Sequence, residues 1–178
     1  MAQVKVWDAV IRLLHWSLVA AFVLNAAILD DESAAHAWVG YFIIGLISVR
    51  VVWGFVGPQH ARFSSFKPDV NAAIQQVRDV ALGRRTRYIG HSPLGALMTY
   101  NLMVTFLFLG LTGWIMTLPE VLIGHDPEWA EDLHEAAFGW AVFSIIVHIG
   151  GVAFMSWHMG VNLARAMITG TKSFDDDK

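Results

Sequence analysis

Four long apolar runs, at roughly 7–29, 36–56, 93–118 and 133–157, constrain this chain more than any other feature. Each is close to the ~20 residues a helix needs to cross ~30 Å of hydrocarbon. A chain in lipid must satisfy its own backbone N–H and C=O groups, so the runs predict four transmembrane helices. Composition agrees, because only 15% of the residues are charged, against about a quarter in water-soluble domains. The first run contains Asp8 and Arg12, has no small-residue cleavage site and matches its successors in length. It is therefore expected to stay in place rather than be removed as a signal peptide. No internal repeat or low-complexity tract appears, and the expectation is one all-α domain over 1–178, an integral membrane four-helix bundle.

Charge orients the bundle. With four spans, the two termini and the 57–92 loop share one side, and all 12 Lys and Arg residues fall there. The positive-inside bias predicts that this side, with both termini, is cytoplasmic. The opposite side is acidic, with Asp30, Asp31, Glu32, Glu120, Asp126, Glu128, Glu131, Asp132 and Glu135. Complementary charge would let that rim meet a basic periplasmic protein such as a soluble cytochrome c. No nucleic-acid partner is expected.

The chain has no cysteine, which excludes covalent c-type haem attachment, iron–sulfur ligation, thiolate zinc sites and internal disulfides. Outside the spans, "KPDVNAAIQQVRDVALG" places Val70, Ile74, Val77 and Ala81 at helical spacing. That pattern predicts a short amphipathic helix, either lying on the membrane surface or packed under the bundle. "GRRTRYIGHSP" follows as a basic turn facing anionic headgroups. "NLARAMITG" predicts a second interfacial helix, stopped by Gly170, and "DDDK" is a charged tail.

Of the 8 histidines, His60, His91, His125 and His158 lie in loops or at span ends, while His15, His36, His134 and His148 lie in or at the edge of apolar spans. Polar groups in spans are costly and mark function, interhelical hydrogen bonding being the simpler alternative. His134 and His148 are fourteen residues apart, so they share one helix face and stand ~21 Å apart along the axis. That is too far to share one ion and suits two separate cofactors. His148 lies ~14 Å from the inner end of its helix, and His15 lies ~12 Å deep from the inner end of the first. His36 and His134 both stand at the outer edge. Depth therefore selects two pairs, His15 with His148 inside and His36 with His134 outside.

Two imidazoles facing each other without a thiolate or carboxylate suit haem iron, for which a porphyrin supplies the remaining four nitrogens. Neutral imidazole binds iron and zinc alike, but zinc takes four protein ligands, or three and water. Close approach of a flat macrocycle is eased by glycine, and Gly40, Gly139, Gly150 and Gly151 follow the histidines, with Gly110 and Gly113 on the third helix. Such glycines also serve plain helix packing.

The segments "RLLHW", "HAWVGY", "SVRVVWGFVGPQHARF", "YIGHSPLGALM", "LHE" with a histidine fourteen residues on, and "NLARAMITG" resemble the bacterial cytochrome b561 family and the related cytochrome b subunits of nickel–iron hydrogenases. The likeness covers almost the whole chain. It implies a four-helix bundle with two haem b groups, held by His15, His36, His134 and His148, that exchanges electrons with quinone. Filled axial positions leave oxygen no open iron site, so the expected role is outer-sphere electron transfer. Arg12, one turn before His15, and Arg50, fourteen residues after His36, are expected partners for inner haem propionates or a quinone head group, with snorkelling to lipid phosphates as the alternative. Quinone reaction is expected near Arg50, His91 and the basic 84–91 turn, where guanidinium groups stabilise developing negative charge and a histidine can supply protons near neutral pH. A relay subunit anchoring a larger oxidoreductase such as a hydrogenase, a superoxide oxidase, and a histidine-lined metal transporter are the alternative functions. The acidic rim argues against superoxide as the substrate.

Overall fold

The computed structural model describes residues 2–119 and 128–174. Strand β1 (Ala2–Lys5) leads into α1 (Ala9–Ala27) and α2 (Ala34–Val56); two short 3-10 turns and the surface helix α3 (Val70–Ala81) precede α4 (Pro93–Met116). After it come α5 (Glu128–Met159), α6 (Leu163–Thr169) and strand β2 (Thr171–Phe174). α1, α2, α4 and α5 are long and apolar enough to cross a membrane. Apolar side chains such as Leu13, Val49, Val52, Val104 and Ile146 point outward, as a lipid-facing surface requires.

Local chemistry sets the boundaries. Asp8 caps α1 by accepting from the backbone N–H of Val10 and Ile11, Ser33 caps α2, and Ser92 caps α4 with proline in its first turn. Each cap satisfies a backbone donor that no helix can satisfy itself. The apolar runs put the fourth span at 133, whereas α5 begins at Glu128. Its first turn carries Glu128 and Glu131, charges that favour a helix N-terminus but lie outside any apolar run.

One departure from an all-α chain lies at the termini. β1 and β2 pair antiparallel, Ala2 with Phe174 through Lys5 with Thr171. Gly170, at φ +86°, ends α6 and turns the chain back, and its carbonyl accepts from Val6 and Trp7. The pairing holds both termini at one end of the bundle. Beneath it lies a small core of Val6, Trp7, Ile11, Ala61 and Ala166. A second core, Ala21, Ile43, Ile47 and Phe106, joins α1, α2 and α4 in the middle of the spans.

α3 is three-sided. Ala73 and Gln76 are buried and Gln76 accepts from Leu94 N–H at 3.0 Å, tying α3 to the start of α4. Val70, Ile74 and Val77 are exposed, and so are Asn71, Gln75 and Arg78. The helix therefore packs against the bundle and also keeps an apolar stripe free to face lipid, which joins the two expectations for this segment.

Candidate functional site

The span histidines meet in the two pairs that depth selects. The ring centroids of His15 (α1) and His148 (α5) are 6.5 Å apart, and those of His36 (α2) and His134 (α5) are 6.4 Å apart. Two metal–imidazole bonds of about 2.0–2.1 Å on opposite sides of one ion, with roughly 1 Å more from each nitrogen to its ring centre, span about 6 Å. Both gaps fit one metal ion between two imidazoles. Among the described residues, no three His, Cys, Asp or Glu side chains converge to hold a bare ion. A metal held by either pair would have to bring its other ligands with it.

Backbone packing leaves room for such a group. α1 packs on α2, α2 on α4 and α4 on α5, whereas α1–α5 and α2–α5, the pairs that carry the facing histidines, have no comparable backbone packing. A Cβ added at Gly40, Gly139, Gly150 or Gly151 would meet nothing within 4 Å. Gly110 is different, because a Cβ there would overlap Ile44. It serves α2–α4 packing rather than approach to a macrocycle. A Cβ at Gly113 would stand 3.3 Å from His134 Cε1, so this glycine makes room for the ring.

The rings are held unequally. His134 Nδ1 lies 3.0 Å from Thr112 Oγ1, whereas His36 Nδ1 is buried without a hydrogen-bond partner. His15 stands edge-on to Trp16 at 5.2 Å. Between the two levels, Phe22 packs against Phe106 at 5.4 Å and Phe138 at 6.3 Å.

Toward the termini, cations alternate with aromatic rings. Arg50 lies over Phe63 and Phe66, at 5.1 and 5.7 Å from their centroids, and its Nη1 is buried without a hydrogen-bond partner. His91 lies against Phe66 at 4.1 Å with the rings tilted by 32° and meets Trp7 edge-on at 4.8 Å. Lys172 is buried, lies 5.7 Å from the Trp7 ring, and donates to the carbonyls of Tyr88 and Gly90 at 3.0 and 2.9 Å. Desolvation lowers the Lys172 pKa to about 8. Desolvation, with smaller repulsions from Arg50, Lys172 and His60, pushes His91 down to about 3. At neutral pH His91 is uncharged, with its Nδ1 buried and without a hydrogen-bond partner, so it is not the proton source expected from an ordinary histidine. Arg12 donates from Nη1 to the Ile168 carbonyl near the end of α6, leaving its buried Nε without a partner. Most of its geometry is structural, whereas Arg50 keeps an uncommitted cationic edge. Lys172 and Thr112 were not singled out by sequence. Thr112 had a usable signal, since it lies near the end of α4 at about the depth of His134 near the start of α5. His60 sits beside Gly90, and His158 Nε2 lies 3.1 Å from the Arg84 carbonyl. His125, Glu120 and Asp126 lie outside the described residues.

Residues 6–170 match the prokaryotic cytochrome b561 family, a stretch that takes in all four spans and both histidine pairs. The chain belongs to that family. It is a multi-pass b-type cytochrome of the bacterial inner membrane that acts in electron transfer, and the family implies haem b as the bound group. The cytochrome is 29% identical over 168 residues to a "Probable Ni/Fe-hydrogenase B-type cytochrome subunit" of Azotobacter vinelandii, an alignment covering 78% of this chain and 67% of the relative. No solved structure matches it significantly.

Proposed function

We propose that the cytochrome holds two haem b groups, one between His15 and His148 and one between His36 and His134, and carries electrons between quinone and a second redox partner. The two imidazole gaps of 6.5 and 6.4 Å are the observation that carries this reading. Bound haem b supplies reversible one-electron chemistry at its iron. The four histidines would hold it through their imidazole nitrogens, and the apolar span residues would keep water away. Arg50 and Arg12, each with a buried donor nitrogen that has no hydrogen-bond partner, would receive inner propionates or a quinone head group. Arg50 stabilises negative charge on a quinone being reduced, and His91 offers a neutral imidazole at the edge of that site. The one-sided distribution of Lys and Arg supports cytoplasmic termini. On the opposite side Asp30, Asp31, Glu32, Glu128, Glu131, Asp132 and Glu135 are exposed, a surface suited to a basic periplasmic cytochrome c and repellent to superoxide.

A second reading is favoured by the Azotobacter relative: a membrane subunit that relays electrons for a hydrogenase or another catalytic partner. It uses the same two sites and differs in the donor.

Haem quantitation with single substitutions tests the ligation. Wild type is expected to hold two low-spin haems per chain. His15→Ala and His148→Ala remove one of them, and His36→Ala and His134→Ala remove the other. One haem per chain, or loss on His15→Ala of the haem that His134 holds, would overturn the pairing. Quinone reduction by Arg50→Gln and His91→Ala, in protein retaining both haems, tests the quinone site; unchanged kinetics in both would remove it from this side.

A further inference from the structure

We propose that Thr112 is a positioning residue that fixes the tautomer of His134 and thereby sets the reduction potential of the haem bound by His36 and His134. The proposal rests on the reading that His134 is a haem ligand. Thr112 is 1% exposed and sits on α4, a span that carries neither member of either histidine pair. Its hydroxyl has one hydrogen, which is directed at the carbonyls of Phe108 and Leu109, at 3.0 and 3.1 Å. Its oxygen, with both lone pairs free to accept, lies 3.0 Å from His134 Nδ1. With its hydrogen on these carbonyls the hydroxyl accepts, the arrangement in which His134 donates from Nδ1. The other nitrogen, Nε2, is then left with its lone pair free for a metal. The next residue, Gly113, has no side chain to press on the ring 3.3 Å away. Two consecutive residues of α4 thus hold the ring and clear space for it.

The opposite ligand has no such support, since His36 Nδ1 is buried and unpartnered. Control of this site through an Nδ1 hydrogen bond therefore enters from the His134 side. A hydrogen bond accepted from the outer nitrogen of a metal-bound imidazole raises its basicity. A more basic ligand favours ferric over ferrous iron, so the Thr112 hydroxyl lowers the potential of this haem. Thr112→Val keeps the shape and removes the hydroxyl acceptor, leaving the Nδ1 hydrogen only the Leu109 carbonyl.

The experiment is a spectroelectrochemical titration, with haem quantitation, of wild type, Thr112→Val and Thr112→Ser. The haem lost in His134→Ala identifies which transition belongs to this site. Thr112→Val should shift the ferric-to-ferrous ratio of that haem toward ferrous by about threefold to tenfold, or ~30 to 59 mV upward for one electron. The other haem should not move, and Thr112→Ser should restore the wild-type value. Thr112→Val with two haems at wild-type potentials overturns the proposal. If Thr112→Val loses the haem, Thr112→Ser decides: a retained haem at wild-type potential supports the role, and equal loss in both overturns it. If His134→Ala keeps both haems, the ligation reading fails instead, and the proposal goes with it.

Discussion

Acid should loosen the layer under the bundle through one side chain. His91 lies between Phe66 and Trp7, with Arg50, Lys172 and His60 near enough to repel a positive charge. Its folded-state pKa of about 3 lies well below the ordinary imidazole value of 6.5. Between those values the unfolded chain binds a proton that the folded chain refuses, so stability rises with pH. The contribution is complete above pH ~6.5 and is lost as pH falls toward the folded pKa. Each pKa unit corresponds to about 1.4 kcal/mol, so acidification from about pH 7.5 to about pH 4.5 removes roughly 3 kcal/mol. His91→Phe is similar in shape, suits an aromatic neighbourhood and cannot titrate. Unfolding free energies of both proteins in mixed micelles, followed by helicity across that range, give a difference in which the carboxylate titrations common to both cancel. The wild type should lose stability relative to His91→Phe as the pH falls. A difference that stays flat from about pH 7.5 to about pH 4.5 would refute the reasoning.

Two further outcomes follow from packing. Gly110→Val forces a side chain into Ile44 and should cost about 1–3 kcal/mol in protein with or without haem, whereas Gly40→Leu, which enters open space, should keep its helicity and bind less haem at the His36–His134 site; equal effects of the two on haem-free stability would contradict this contrast. On α3, a spin label on Ile74→Cys should be accessible to oxygen dissolved in lipid and one on Gln75→Cys to an aqueous nickel chelate, a clean comparison because the chain has no cysteine of its own; matching accessibilities would mean that the Val70–Ile74–Val77 stripe does not lie in the membrane surface.

The spans are legible because lipid demands long uninterrupted apolar runs, and the histidine pairs because counting from the side on which each helix enters the membrane fixes depth. What stayed hidden depends on contacts distant in sequence. β1 and β2 are four residues each and lie at opposite ends of the chain, so neither carries a local pattern strong enough to announce a strand. Lys172 looked like one more cytoplasmic cation until the pairing buried it against the carbonyls of the loop before α4. His91 was recognisable as a histidine at a span end, but its neutral state comes from aromatic neighbours supplied by Trp7 and Phe66. Gly110 shows the limit of residue type alone, since the glycine pattern does not say whether the space above it belongs to Ile44 or to a cofactor.

The bundle must hold its histidine pairs facing each other while keeping the helices that carry them apart. Between apolar helices, lipid offers no hydrophobic driving force for closure, so packing and polar contacts must do the holding. The polar ties lie where they fix the frame without filling the gap. Asn101 donates to Ser144 at 2.9 Å and accepts from Trp140 Nε1 at 3.0 Å, joining α4 to α5 in mid-span. Trp53 of α2 donates to Asp8, at the start of α1, at 3.3 Å. Arg12 donates to Ile168, and Trp16 Nε1 to Met167 at 3.3 Å, so α1 is moored to α6 rather than directly to α5. Because α6 follows α5 across a short turn at Gly160, these two bonds fix the position of α1 near His15 from one end. The termini-side layer thus sets the spacing of the His15–His148 pair at a distance from the pair itself, while α4, through Thr112 and Gly113, orients the second pair by direct contact with His134.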